Sequence, residues 1–403
     1  MLAIRAVQGQ VYSSRTGRLT VHFAFLLLFP GFFVYQTLLG LGVIPAVLGG
    51  YFSAIAIVFL GPLVWHYFVA IKLHPHFVLR SDFYFFLFAI YYSFVVVVNL
   101  ALGTNPGIAQ KYVFSLIFCA DVYLIFRMLD VDDKIFMRMV TGSLLLMSAI
   151  TMYFSIDGFF YLKSLGEASN PESLATYQGF ARSYIYAFLI VVCYAKSTSV
   201  RLALYGLAAV SLFLNGARSE FSAVLFIIPI IELYRARYKL YSVTLAFFLL
   251  TWLGANADSI VGVLPESRIL QLFDLSDSSS GAAREQLSIN AWRTILHNPV
   301  LGDFGSYADG HYAHNILCAW VDFGFLGFAF FSILLMWPVL RLSSPGYFFG
   351  KKSGDFCLAF AFSVIGILWA LTAKAVPDMS IGAALGAYAK YRYGVRYGQA
   401  GRT

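Results

Sequence analysis

Residues 83–102 read Phe83-Tyr84-Phe85-Phe86-Leu87-Phe88-Ala89-Ile90-Tyr91-Tyr92-Ser93-Phe94-Val95-Val96-Val97-Val98-Asn99-Leu100-Ala101-Leu102, without a single charged side chain. A helix rises about 1.5 Å per residue, so such a run crosses the ~30 Å hydrocarbon core of a bilayer. A span is therefore placed at 82–102. Comparable runs lie near 19–39, 43–71, 109–127, 137–155, 180–195, 200–215, 219–234, 240–256, 315–340, 355–373 and 378–390. The second is long enough to tilt or to break near Pro62, and the last is short. Across the chain, 60% of residues are hydrophobic and 12% charged, where a soluble domain needs about 25% charged residues to wet its surface. The reading is an all-α polytopic transmembrane protein of about 12 membrane helices.

The formal net charge is +8, but the basic residues are scattered between apolar runs, which orients a membrane protein and does not bind nucleic acid. With the N-terminus in the cytoplasm, 20 of the 28 Lys and Arg residues fall on the cytoplasmic side. The outer side keeps Lys111, Lys163, Arg182, Arg218, Arg268, Arg284, Arg293 and Lys374. Both termini are thus expected inside. Arg5, Arg15 and Arg18 precede the first apolar run with no small-residue cleavage pattern, so a retained first helix is expected. Cys119, Cys193, Cys318 and Cys357 all sit in apolar runs and read as small hydrophobes.

Two connections are long, 156–179 and 257–314, and both fall on the outer side. The second, between spans nine and ten, holds an amphipathic helical stretch from Ala283 to Leu296 and a Ser/Asp-rich turn at Asp274–Gly281. The chain reads as one membrane body over 1–403 with the 257–314 loop inserted in it. No fixed-period repeat is apparent, which argues against an inverted-repeat transporter or flippase.

Basic residues that remain on the outer side against the charge rule need a reason. Arg218 lies in Asn215-Gly216-Ala217-Arg218-Ser219-Glu220, between two apolar runs. It either snorkels or pairs with Glu220, or its planar fork grips an anionic headgroup. Arg182 holds a similar place in Gln178-Gly179-Phe180-Ala181-Arg182. Arg268, Arg284 and Arg293 lie in the large loop, each alone a solvated charge, and together with Arg218 they read as a basic pocket above the bilayer, fit for a pyrophosphate. His311-Tyr312-Ala313-His314-Asn315 opens an apolar helix through Asp322-Phe323-Gly324-Phe325-Leu326-Gly327. A histidine there suits general-base work, or simply bonds a backbone carbonyl. Gly324 and Gly327 would admit a neighbouring helix. His311 and His314 lack a third ligand at metal spacing, so no metal is expected. Asp121 sits inside a span without an evident partner, and His74-Pro75-His76 marks a helix end. No phosphate-binding loop with a following Lys occurs, which disfavours nucleotide hydrolysis.

Arg284 through Trp292, Ile295-Leu296-His297-Asn298-Pro299-Val300-Leu301-Gly302, His314-Asn315 and Gly324-Phe325-Leu326-Gly327 together resemble the signature region of the O-antigen ligase and polymerase superfamily. Asn-Gly-Ala-Arg-Ser-Glu at 215–220 resembles that family's Ser-Arg motif. By motif the likeness covers about a third of the chain. Eight residues separate Asn315 from Gly324, one fewer than in ligases, and Ser222 stands where ligases carry leucine. Both departures favour polymerase over ligase. The resemblance implies a metal-independent, inverting glycosyltransferase at the periplasmic face of a bacterial inner membrane, with no cofactor. Its donor would be an undecaprenyl-pyrophosphate-linked glycan. Its acceptor would be another lipid-linked repeat, or lipid A–core in a ligase. A chain-length regulator is a partner compatible with a polymerase. His314 would be the base, and Arg218 and Arg284 would hold the pyrophosphate. Arg182, Arg293, Asn315 and His311 would line the substrate site.

Overall fold

The computed structural model describes residues 15–45, 51–74, 76–156, 159–160, 162, 176–236, 238–239, 244, 248, 251, 255–256, 279–307, 313, 315–344, 352–372, 376 and 378–398. The protein is all-α and polytopic. Its helices are α1 (Arg15–Gly40), α2 (Phe52–Leu73), α3 (Arg80–Ala101), α4 (Pro106–Met128), α5 (Lys134–Tyr153), α6 (Thr176–Tyr194), α7 (Thr198–Asn215), α8 (Arg218–Arg235), α9 (Ser279–His297), α10 (Leu317–Leu342), α11 (Gly354–Thr372) and α12 (Met379–Gly398). Two residue pairs, Ser155–Ile156 and Phe159–Phe160, form a small hairpin after α5. Among the described residues, α1 to α5, α7, α10 and α11 are long and apolar enough to cross a membrane.

The helices coincide with eleven of the twelve expected spans. The other, 240–256, lies almost wholly outside the described residues. Two boundaries differ from expectation, and the helix decides between the two alternatives at Pro62. The second span starts at Phe52, because α1 ends at Gly40 and Gly42 turns the chain at φ 70°. It does not break: α2 runs on through Pro62. The last helix is longer than expected, because Lys390, Arg392 and Arg396 lower its hydropathy without ending it. In the large loop the amphipathic helix forms as expected. It begins at Ser279, inside the stretch read as a turn, and residues 274–278 lie outside the described residues.

Packing ranks the helices from centre to rim. The apolar window of α11 is 72% buried, against 22% for α2 and α3, whose Trp65, Phe68, Ile90 and Phe94 are exposed. At the centre, α12 lies along α4 with almost no gap. A Cβ at Gly382 would sit 2.1 Å from the Cys119 carbonyl oxygen, and one at Gly386 would sit 2.4 Å from that of Tyr123. Small residues let membrane helices touch backbone to backbone, where dispersion replaces the hydrophobic effect as the source of cohesion. The four cysteines are buried and free, as expected.

A buried ion pair locks α3 to α4. Asp82 Oδ1 accepts from Arg127 Nε at 2.8 Å and from the Tyr123 hydroxyl at 2.5 Å, while Oδ2 accepts the Leu79 N–H at 2.7 Å. The Arg127 guanidinium also donates to the Phe77 carbonyl at 2.5 Å and lies 3.9 Å over the Phe77 ring. Both side chains are almost wholly buried. Removing one partner leaves an uncompensated charge, so Asp82→Ala should cost about 3–5 kcal/mol. Thermal unfolding in detergent would show this as a lowered Tm. The double variant Asp82→Leu/Arg127→Met should recover most of the loss, which a purely local packing defect would not.

The chain alternates direction, so α4, α6, α8, α10 and α12 all begin at one end. Contacts between those beginnings bear this out. Arg182 of α6 reaches Asp378 just before α12, Phe304 before α10 meets Tyr112 of α4, and Trp369 near the end of α11 donates to the Ser219 carbonyl of α8.

Candidate functional site

Two groups of expected site residues gather at this end. The first surrounds Arg182. Its Nη1 lies 3.1 Å from Asp378 Oδ2, and its Nε lies 3.6 Å from Glu220 Oε1. Glu220 is completely buried, and its other oxygen accepts from the Ser219 hydroxyl at 2.5 Å. Asp378 Oδ1 caps α12 by accepting the Ser380 N–H at 2.9 Å. The turn that delivers Glu220 is set by sequence: Gly216 takes φ 75° after α7, a conformation that suits glycine, and α8 starts at once with Arg218. Arg218 and Ser219 are half-buried there. The group is recessed, since Gly382, one turn beyond Asp378, already packs on mid-helix Cys119 of α4.

Glu220 therefore sits at ion-pair distance from Arg182, a partner that sequence reading had not assigned to it. Asp378 was missed altogether. The available signal was an acidic residue directly before a span, in Val376-Pro377-Asp378-Met379. Two carboxylates around one guanidinium hold Arg182 between α6, α8 and α12.

The second group joins α9 to α10. Asn315 accepts the Leu317 N–H at 3.0 Å, starting α10, and donates from Nδ2 to the Ser288 hydroxyl of α9 at 3.0 Å. Ala291 and Ile295 of α9 pack on Cys318 and Val321 of α10, and the Cys318 thiol donates to the Ala313 carbonyl. Arg284 and Arg293 stand exposed on α9. They lie on the helix that Asn315 secures, and not in the Arg182 cluster. Arg268, His311 and His314 lie outside the described residues, with Ala313 and Asn315 flanking His314 on the described chain.

Gly324 differs from expectation. It does not receive a neighbouring helix: α10 breaks there, at φ 64° and ψ −174°, a region open essentially only to glycine. The turn after α9 fills the break. Phe325 N–H donates to the Val300 carbonyl at 3.1 Å, Asp303 N–H to the Val321 carbonyl at 2.6 Å, and Trp320 Nε1–H to the Pro299 carbonyl at 2.8 Å. A Cβ on Gly324 would lie 2.1 Å from the Val300 oxygen, and one on Gly302 would lie 2.3 Å from that of Val321. Gly327 does meet a neighbouring helix, through Tyr91 of α3. Gly324→Ala should thus cost about 1–3 kcal/mol from backbone strain alone, with the clash added. A lowered Tm and new proteolysis between 298 and 307 would show it; an unchanged melting curve would contradict the interlock.

Below this turn, Asp322 is buried, with 1% of its surface exposed. Its Oδ1 receives a long 3.5 Å contact from the Gly305 N–H, its Oδ2 has no hydrogen-bond partner among the described residues, and the Tyr112 hydroxyl of α4 faces the carboxyl group. The Tyr307 hydroxyl is similarly unsatisfied, and burial pushes its pKa well above the usual phenol value. Asp121 of α4 is buried with both oxygens unbonded among the described residues, in line with its lack of an evident partner in sequence. Among the described residues no three His, Cys, Asp or Glu side chains gather as a metal site requires.

Neither a known family model nor a curated protein matches this chain.

Proposed function

We propose that the protein is a membrane glycosyltransferase that polymerises lipid-linked surface-polysaccharide repeats, such as O-antigen, on the periplasmic face of a bacterial inner membrane. The supporting observation is the interlock of α9, the 298–302 turn and α10. Segments that carry the sequence resemblance pack as one unit through Asn315–Ser288, Val300–Phe325 and Pro299–Trp320, pairs 21 to 27 residues apart. The arginines of the two groups then divide the work. Arg218 and Arg284 hold the pyrophosphate of an undecaprenyl-linked donor, Arg182 is kept in register by Glu220 and Asp378, and Arg293 lines the approach. His314 takes the proton from the acceptor hydroxyl as it attacks the anomeric carbon and the lipid pyrophosphate departs. His311 and Asn315 border the acceptor.

Guanidinium groups neutralise the leaving pyrophosphate where a divalent cation otherwise would. Transfer by purified protein from a synthetic undecaprenyl-pyrophosphate repeat to a second repeat should therefore persist in excess EDTA. Loss on chelation, restored by magnesium, would overturn the arginine-only account.

A further inference from the structure

The last turns of α9 and the turn that follows it carry a run of apolar side chains that are exposed among the described residues. Leu296 is 66% exposed, Val300 70% and Leu301 85%, with Ile289 and Trp292 also exposed on the same helix. A run of this kind on a water-facing loop would be costly to hydrate. It is continuous with another exposed run. Val300 bonds to Phe325, and from there Phe325, Leu326, Ile333, Met336, Trp337 and Leu340 are exposed down α10, the face a spanning helix turns to lipid.

Depth follows from the pairing of the two helices. Ser288 meets Asn315, Ile295 packs near Cys318 and Val321, and Val300 meets Phe325. As α9 runs toward its C-terminus it therefore descends alongside α10. Beyond the break, the 18 residues from Phe325 to Leu342 rise about 27 Å, close to the ~30 Å hydrocarbon core. The segment that fits the core therefore starts near Gly324, where the turn is seated. The other end of α10 fits the same placement, since Arg341 lies over the Trp337 ring in the pose of a snorkelling interfacial pair.

Irregular backbone exposed to lipid does not occur within the hydrocarbon core, which keeps this turn at the boundary between acyl chains and headgroups. Part of its backbone is bonded within the protein: Gly302 N–H donates to Asn298, Asp303 N–H to Val321, and Val300 C=O accepts from Phe325. Broken at Gly324, α10 supplies partners that an intact helix would have used itself.

We infer that the C-terminal half of α9 and the turn through Gly302 form a wedge that dips into the bilayer leaflet beside α10, with lipid as its partner. Leu296, Val300 and Leu301 enter the acyl boundary, Trp292 sits at the interface, and Arg293 reaches back to the headgroup phosphates. The inference needs only that α10 spans the membrane; it does not depend on the transfer reaction.

The test is site-directed spin labelling in vesicles of phosphatidylethanolamine and phosphatidylglycerol. The four native cysteines are buried, so single cysteines at Leu296, Leu301, Glu285 and Ile333 can be labelled selectively. Power saturation then compares relaxation by oxygen, which concentrates in lipid, with relaxation by a water-soluble nickel chelate. Leu301→Cys and Leu296→Cys should lose nickel relaxation and resemble Ile333→Cys on the lipid face of α10, while Glu285→Cys should resemble water. Nickel access at Leu301→Cys equal to that at Glu285→Cys would overturn the wedge. Protection from both reagents would overturn it too, by placing protein where lipid is proposed. Because no transfer is assayed, neither result bears on the proposed reaction.

Discussion

His314→Ala is expected to lower glycan transfer by about 10²–10⁴-fold, the range over which a positioned general base accelerates proton transfer, with the protein still folded in the membrane. The reason lies in the attack itself. A sugar hydroxyl is a poor nucleophile until a base accepts its proton, and among the candidate residues only His314 and His311 carry a group suited to that near neutral pH. The chain on either side of His314 is pinned: the Ala313 carbonyl accepts from the Cys318 thiol, and Asn315 bonds both Leu317 and Ser288. Replacing the imidazole changes none of these bonds and should leave the fold intact. The check is the rate of transfer by purified variant, with Tm as the control for folding. Full activity in His314→Ala would eliminate this residue as the base.

Arg218→Ala should reduce transfer by roughly 10²–10³-fold, the loss seen when a donor to developing negative charge is removed. Arg218→Lys should recover only part of it. An ammonium keeps the charge but not the planar fork that bonds two phosphate oxygens at once. The position of Arg218 sharpens the expectation, because it opens α8 two residues before the buried Glu220 and two residues after the left-handed Gly216. Small backbone shifts there would move it relative to Arg182. Lysine activity equal to wild type would reduce Arg218 to a general positive charge.

How far the sequence carried these conclusions depends on which force decided each feature. Apolar runs such as 83–102 located the helices because hydrocarbon thickness is a coarse, one-dimensional constraint. The tail of α12 escaped the same reading, since Lys390, Arg392 and Arg396 lower hydropathy while the backbone still prefers to remain helical. Gly324 was legible as important and misread in role, because a close-packing glycine and a helix-breaking glycine look the same in one dimension. Its partner, the Val300 carbonyl, becomes evident only once α9 folds back on α10. The two carboxylates around Arg182 come from α8 and the start of α12, 158 positions apart at Glu220 and Asp378, beyond the reach of any local pattern. The amphipathic period of 283–296, by contrast, is local, and the helix formed where that period put it.

The most direct test of the proposed polymerase is a gel of surface glycan from cells lacking this gene, complemented with wild type or with His314→Ala. Core bearing a single repeat, restored to a full ladder by wild type and not by the variant, is the expected result. Bare core, with long polymer accumulating on undecaprenyl pyrophosphate, would contradict it and assign the protein to ligation instead.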